Sequence, residues 1–232
     1  MDPDRGEHDN PTLLVGPRQY GELIASRWPL RVLPSSAFAI PWTERVLSGI
    51  IESPWGVIEL HATHIPNGAN HGWIKIEMFE GIYERLACAT EHPRILCGDL
   101  NTPQAELRSG EIVTWGQDIL PDGRIVLEGT WRDPAGREDT SERWDRGERN
   151  VLAGLAAYDL ADVYRAINAY AAPEFSWYWA GQGRRVGRRF DHVFASSSLN
   201  TRSCSYLHDV RERGLSDHAP IEVDFAPEPA RG

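Results

Sequence analysis

The chain has 232 residues, a net charge of −10 and a pI near 5.3. Its 41% hydrophobic and 25% charged residues are those of an ordinary globular protein with a real core. The acidic excess argues against broad, non-specific nucleic-acid affinity, leaves a local basic groove open, and suits a protein that gathers divalent cations.

The N-terminal stretch MDPDRGEHDNP has neither the basic start nor the apolar core of a signal peptide. No apolar run approaches the roughly 20 residues of a membrane helix. The expected location is the cytoplasm, with no membrane partner. Cys88, Cys97 and Cys204 are odd in number and scattered, so they predict neither a disulfide framework nor a zinc site. Cys97 reads as a small core residue.

Strands are expected at Glu22–Ser26, Val46–Glu52, Val57–Ile65, Ile95–Cys97, Arg189–Ala195 and Ile221–Phe225, each apolar and bounded by turn residues. Ser53-Pro54-Trp55-Gly56 predicts a hairpin between the second and third. The spacing of Met78, Ile82 and Leu86, with Phe79 and Tyr83 beside them, predicts a helix over Ile74–Ala89. Leu152, Leu155 and Ala156 begin a second, from Asn150 to about Ala169. Arg132–Arg149 alternates acid and base and reads as an exposed loop. The expected division is a polar segment over 1–19, one α/β domain over 20–226 and a tail over 227–232.

Five polar clusters fall at strand ends. His61-Ala62-Thr63-His64-Ile65-Pro66-Asn67 ends a strand in which His61 and His64 face opposite sides. That leaves His64 as the candidate phosphate contact, with Asn67 beside it; a zinc site from His61, His64 and His71 is the alternative. Asp99 and Asn101, in ILCGDLNTPQ, lie on one side of an extended segment, where a carboxylate and an amide can hold an attacking water. The competing reading is a simple Gly-Asp turn. Asp191, in RRFDHV, is costly to bury without a partner, and a histidine or an arginine would supply one. In LSDHAPI, Asp217 is a candidate metal ligand and His218 a candidate donor to a phosphate oxygen; a polar surface turn is the bland reading. Trp177, in SWYW, precedes Arg184-Arg185-Val186-Gly187-Arg188-Arg189. These aromatics and arginines, Trp177, Arg185 and Arg188 foremost, either contact a nucleic-acid strand or pack on the core and answer the acidic surface.

The order HIPN, GDLN, RRFDHV, SDHAPI resembles the endonuclease/exonuclease/phosphatase superfamily, from about Tyr20 to Phe225. YGELIASRWPL is similar to its G-x-x-I-x-S-R-x-P strand. SWYWAGQGRRVGRRFDHVFAS is similar to the exodeoxyribonuclease III and abasic-site endonuclease branch, while His64 follows the deoxyribonuclease I branch. The resemblance implies a four-layer α/β sandwich of two packed mixed β-sheets flanked by helices, and a hydrolase using Mg²⁺ or Mn²⁺. DNA is the implied partner. Asp99 would orient or deprotonate water, with Asn101 holding it. His218 would bind the phosphate and Asp191 would orient His218. His64 would contact the phosphate, and Asp217 with Asp99 would hold the metal. The family's first strand, carrying an Asn, and its second, ending in Gln-Glu, have no counterpart before Tyr20. The expected sandwich is therefore N-terminally incomplete and short of its main metal ligand. A phosphatase acting on a small or lipid-linked phosphate, and a remnant that binds without cleaving, are the alternative readings.

Overall fold

The computed structural model describes residues 21–128, 140–181 and 183–226. Its main strands are β1 (Leu30–Val32), β2 (Val46–Ser53), β3 (Gly56–His64) and β4 (Arg94–Asp99). Four short strands follow: β5 (Ala105–Glu106), β6 (Ile112–Val113), β7 (Gln117–Ile119) and β8 (Ile125–Leu127). Then come β9 (Ala161–Asp162), β10 (Trp177–Gly181), β11 (Arg184–Arg188), β12 (Asp191–Ala195), β13 (Thr201–Tyr206) and β14 (Ile221–Phe225). The helices are α1 (Gly68–His71), α2 (Ile74–Leu86), α3 (Thr140–Leu152), α4 (Val163–Asn168) and α5 (His208–Glu212). The expected segments 1–19 and 227–232 lie outside the described residues.

A six-stranded mixed sheet in the order β1-β2-β3-β4-β12-β9 forms the centre. Among the described residues only β3 and β4 run parallel, joined by the crossover through α1 and α2. Alternation along the strands sorts side chains between its two faces. Leu96 and Phe194 face α2 and α3, where Met78, Phe79, Ile82, Leu86, Trp144 and Val151 are fully buried. Ile95, Cys97, Val193 and Ala195 face the opposite layer, built from α4 and the β13–β14 ladder, with Tyr164, Cys204 and Tyr206. Each fully buried large apolar side chain contributes about 1.5–3 kcal/mol. The chain thus adopts the expected mixed α/β class. Among the described residues the second sheet of the sandwich is the two-stranded β13–β14 ladder.

Three expectations need correction. Residues 22–26 form no strand. The sheet edge beside β2 is taken by Leu30–Val32 instead, so the earlier segment has no ladder to join. Leu23 is accordingly 86% exposed. The second expected helix is broken into pieces. α3 ends at Leu152, a short 3-10 turn spans Gly154–Tyr158, and Asp162 caps the separate α4 by accepting from the Arg165 N–H. Finally, the charged stretch is helical from Thr140 on, its remainder lying outside the described residues. Its acid–base alternation is what an amphipathic helix shows: Asp145 and Arg149 pair one turn apart at 2.7 Å, while Trp144 and Glu148 turn inward.

Beside β12, a buried ionic cluster ties β5, β9 and α4 to the link between β11 and β12. Glu106 on β5 accepts from Arg165 of α4 and from Arg189, each at 2.6 Å, and Arg189 also reaches Asp162 at 2.7 Å. Burial alone would raise the Glu106 pKa, but Arg189 and Arg165 overcome it and hold it at about 2. Its contribution to stability is therefore complete above the ordinary value of 4.5 and is lost as pH falls toward about 2. Urea denaturation of wild type and Glu106→Gln should show a stability gap at neutral pH that narrows at pH near 3. A gap independent of pH would contradict this account.

Candidate active site

Parallel pairing of β3 with β4 and antiparallel pairing of β4 with β12 place three chemical residues in one row. His64 is the Cα partner of Asp99, and Asp99 is the Cα partner of Asp191. The row stands where β3 and β4 end and β12 begins. Gly98 makes it possible: its φ is +140°, and a Cβ there would meet the Thr63 carbonyl oxygen at 1.8 Å. Any side chain at that position would push β4 from β3 and break the row.

Asp99 is largely buried. Its Oδ1 accepts from the Asn101 N–H at 2.8 Å, and its Oδ2 lies 3.4 Å from Asn101 Nδ2. Burial, then the charge of Asp191, raises its pKa to about 7. Asp191 Oδ2 accepts from His218 Nδ1 at 2.7 Å. Burial works against a charge on His218, yet the hydrogen bond and charge of Asp191 prevail and raise its pKa. Asp191 fixes the imidazole with Nδ1 as donor and leaves Nε2 for a ligand.

His64 is the opposite case. Arg45 Nη1, which can only donate, meets its Nδ1 at 2.6 Å. The proton must therefore sit on Nε2, which lies 3.8 Å from Asp99 Oδ2. Burial first, then Arg45, lowers its pKa to about 4. At neutral pH His64 is a neutral donor.

The loop after Asp99 is gripped from beneath. Asn101 takes a left-handed φ of +50°, and its amide donates to Ile65 O at 2.9 Å. Its carbonyl accepts from Lys75 Nζ at 2.9 Å and from Trp115 Nε1 at 3.0 Å. Lys75 pairs with Glu148 at 2.6 Å, both fully buried. Glu148 also receives Thr102 Oγ1 at 2.7 Å, the Trp115 N–H at 2.8 Å and Trp144 Nε1 at 3.0 Å. His192 Nε2 bonds Thr102 O at 2.9 Å. Lys75→Met would strand Glu148 as a lone buried charge, with an expected loss of about 3–5 kcal/mol. Adding Glu148→Gln should recover most of it. Equilibrium urea curves decide, and a single variant within about 1 kcal/mol of wild type would contradict the pair's role.

Of the sequence candidates, His64, Asp99, Asn101, Asp191 and His218 come together here. Asp217 is exposed beside His218 and adds its negative charge there. Trp177 stacks on Phe190 at 5.4 Å and lies 6.3 Å from the His218 ring. Arg188 stands over Trp115 at 5.5 Å. Arg185 instead covers the Tyr178 ring at 3.8 Å, with Arg211 at 4.5 Å from the same ring. Asn67 is occupied at its oxygen, which caps α1 by accepting from the Asn70 N–H at 2.9 Å. His61 is fully buried against Ser48 at 2.7 Å, away from His64.

Sequence reasoning missed Arg45, Lys75 and Glu148. Arg45 left no signal. The other two did, since Lys75 interrupts the stripe of Met78, Phe79 and Ile82, and Glu148 the stripe of Trp144, Val151 and Leu152.

Among the described residues, no three His, Cys, Asp or Glu side chains converge as a complete cage for a metal. Mg²⁺ does not require one, because it binds through one or two carboxylates with waters and substrate phosphate oxygens. Asp99 and Asp191 stand side by side, and burial together with the charge of Asp191 raises the proton affinity of Asp99; a divalent cation at Asp99 would offset that repulsion.

The row His64–Asp99–Asp191, with His218 bonded to Asp191, stands at one end of the mixed sheet. The Endonuclease/Exonuclease/phosphatase family model matches residues 3–218, and the chain belongs to that family. Its fold is similar to the AP endonuclease LMAP from Leishmania major, with TM-score 0.54 and 21% identity, over 86% of this chain and 62% of that one. It is also similar to TDP2 from D. rerio complexed with a single-strand DNA product, with TM-score 0.51 and 12% identity, over 85% of this chain and 67% of that one. The chain thus spans about two thirds of the length of these structures. Among the described residues no helix is long and apolar enough to cross a membrane.

Proposed function

We propose that this chain is a metal-dependent phosphodiesterase that hydrolyses a phosphate ester with activated water, acting on DNA as an endo- or exonuclease. The observation that carries the reading is the row His64–Asp99–Asp191 with His218 fastened to its end. Asp99 stands between His64 and Asp191 in the row and is fixed by the Asn101 N–H at 2.8 Å, where a carboxylate can accept a proton from water. It would take a proton from water while Asn101 holds that water. The water oxygen bonds to phosphorus as the bond to the leaving oxygen breaks. His218, oriented by Asp191 and with its proton affinity raised by it, would stabilise charge gathering on the phosphate oxygens. His64 would offer its Nε2–H to an ester oxygen as a neutral donor rather than as an imidazolium acid. Asp99 and Asp217 would hold Mg²⁺ or Mn²⁺, which when bound supplies positive charge against the phosphate. Asn67, through its amide nitrogen, and Trp177, Arg185 and Arg188 are the proposed substrate contacts. The family relatives acting on or holding DNA support the nucleic-acid reading.

The test is hydrolysis of abasic duplex DNA, plain DNA and bis(4-nitrophenyl) phosphate, with Mg²⁺ or with EDTA. Magnesium-dependent cleavage is the expected result. Cleavage that survives EDTA would sink the metal-dependent reading. Cleavage of the small diester alone would favour a small phosphate as substrate, and binding of DNA without cleavage would favour a non-catalytic role.

A further inference from the structure

Arg188 is unusual among the arginines of the interior. Arg165 and Arg189 are met by carboxylates at 2.6 Å. Arg94 is met by the main-chain oxygens of Leu86, Cys88 and Tyr158. Arg188 is partly buried, and among the described residues no carboxylate approaches it; its hydrogen bond goes to the carbonyl of its own neighbour, Gly187, at 3.1 Å. Burial works against its charge, and the Trp115 ring beneath it is its counterpart among the described residues in place of a carboxylate. A guanidinium withdrawn from water and left without an anion is costly unless a ligand completes it.

Its surroundings say where that ligand would lie. Arg188 and Trp177 are directly opposite in the β10–β11 hairpin, so their side chains leave from the same face. Trp177 reaches toward His218. The Arg188 guanidinium stands over Trp115, whose indole N–H holds the Asn101 carbonyl. Arg188 therefore stands over Trp115, which is bonded to the loop carrying Asn101, and opposite Trp177, whose ring lies 6.3 Å from that of His218. Its planar fork of donors matches a phosphate group.

We infer that Arg188 binds a second phosphate of the substrate, next to the one being hydrolysed. This rests on the phosphodiesterase reading above. It narrows the substrate class to esters carrying at least two phosphates, whether successive phosphates of a nucleic-acid strand or the diphosphate of a nucleotide.

The experiment is calorimetric titration in EDTA, where no turnover is expected, of wild type, Arg188→Met and Arg188→Lys. The probes are a thymidine trinucleotide with two internucleotide phosphates, thymidine 5′-diphosphate, and bis(4-nitrophenyl) phosphate with one phosphate. Arg188→Met should weaken a two-phosphate probe about tenfold, the scale of one charge-assisted hydrogen bond. It should also reduce the slope of log affinity against log salt by about 1, while Arg188→Lys keeps the slope. Affinity for the one-phosphate probe should change by less than about twofold, since it makes no contact of this kind. A loss confined to the trinucleotide would identify a strand, and one confined to the diphosphate a nucleotide; either supports the inference. An equal loss on the one-phosphate probe, an unchanged salt slope, or no binding of either two-phosphate probe by wild type would overturn it. Binding is read without hydrolysis, so an inert enzyme in the cleavage assay would overturn the proposed function and leave this result standing.

Discussion

Asp99→Asn should lower kcat for bis(4-nitrophenyl) phosphate by at least about a hundredfold, the scale of losing a general base. The substitution is close to isosteric. An asparagine oxygen can still accept the Asn101 N–H, so the loop keeps the bond that shapes it. What disappears is the ability to take a proton from water. Stability should move the other way. The folded state raises the Asp99 pKa to about 7, above its ordinary value of 3.8, which means that its charge opposes folding at higher pH. Replacing it by a neutral amide removes that burial penalty and the repulsion from Asp191. The melting temperature at pH 8, without added metal, should equal or exceed that of wild type. A variant that keeps wild-type turnover would remove Asp99 from the chemistry. One that loses turnover together with its fold would leave the loss structural.

His218→Ala should cost about a hundredfold to a thousandfold in kcat, as expected for a preorganised donor facing developing charge. Asp191→Asn tests the arrangement behind it. His218 owes its raised pKa to the Asp191 bond and charge acting against burial. With the charge gone the imidazole loses its proton at lower pH. The deficit of Asp191→Asn relative to wild type should therefore grow as pH rises across about 5 to 8. Steady-state rates over that range decide the matter. A deficit constant with pH would show that Asp191 only holds the ring in place.

Much of this was legible in the residues. Each of the four polar clusters HIPN, GDLN, FDHV and SDHAP follows or precedes an apolar alternating run. A strand that abandons its alternation for Asp, Asn and His in a short space signals chemistry at a sheet end. The helix from Ile74 was equally plain, because its stripe repeats at helical spacing over several turns. The charged stretch was misread for a related reason. Thr140–Leu152 carries many charges, and alternating charge describes a loop and an exposed helix face equally well until Trp144 and Glu148 are seen to share one side.

By itself, then, the sequence determined which groups could do chemistry and that they belong to strand ends, since period-two alternation is a local property. It could not determine the row. That His64, Asp99 and Asp191 stand side by side depends on one parallel and one antiparallel pairing between segments far apart in the chain. The same long-range packing set opposite proton affinities on two histidines of the same intrinsic chemistry. Burial and Arg45 hold His64 neutral, while Asp191, against burial, raises the proton affinity of His218. Lys75 and Glu148 were visible as interruptions of apolar stripes. Only the tertiary structure put them beneath the Asn101 carbonyl, where a buried ion pair holds the loop that carries Asp99.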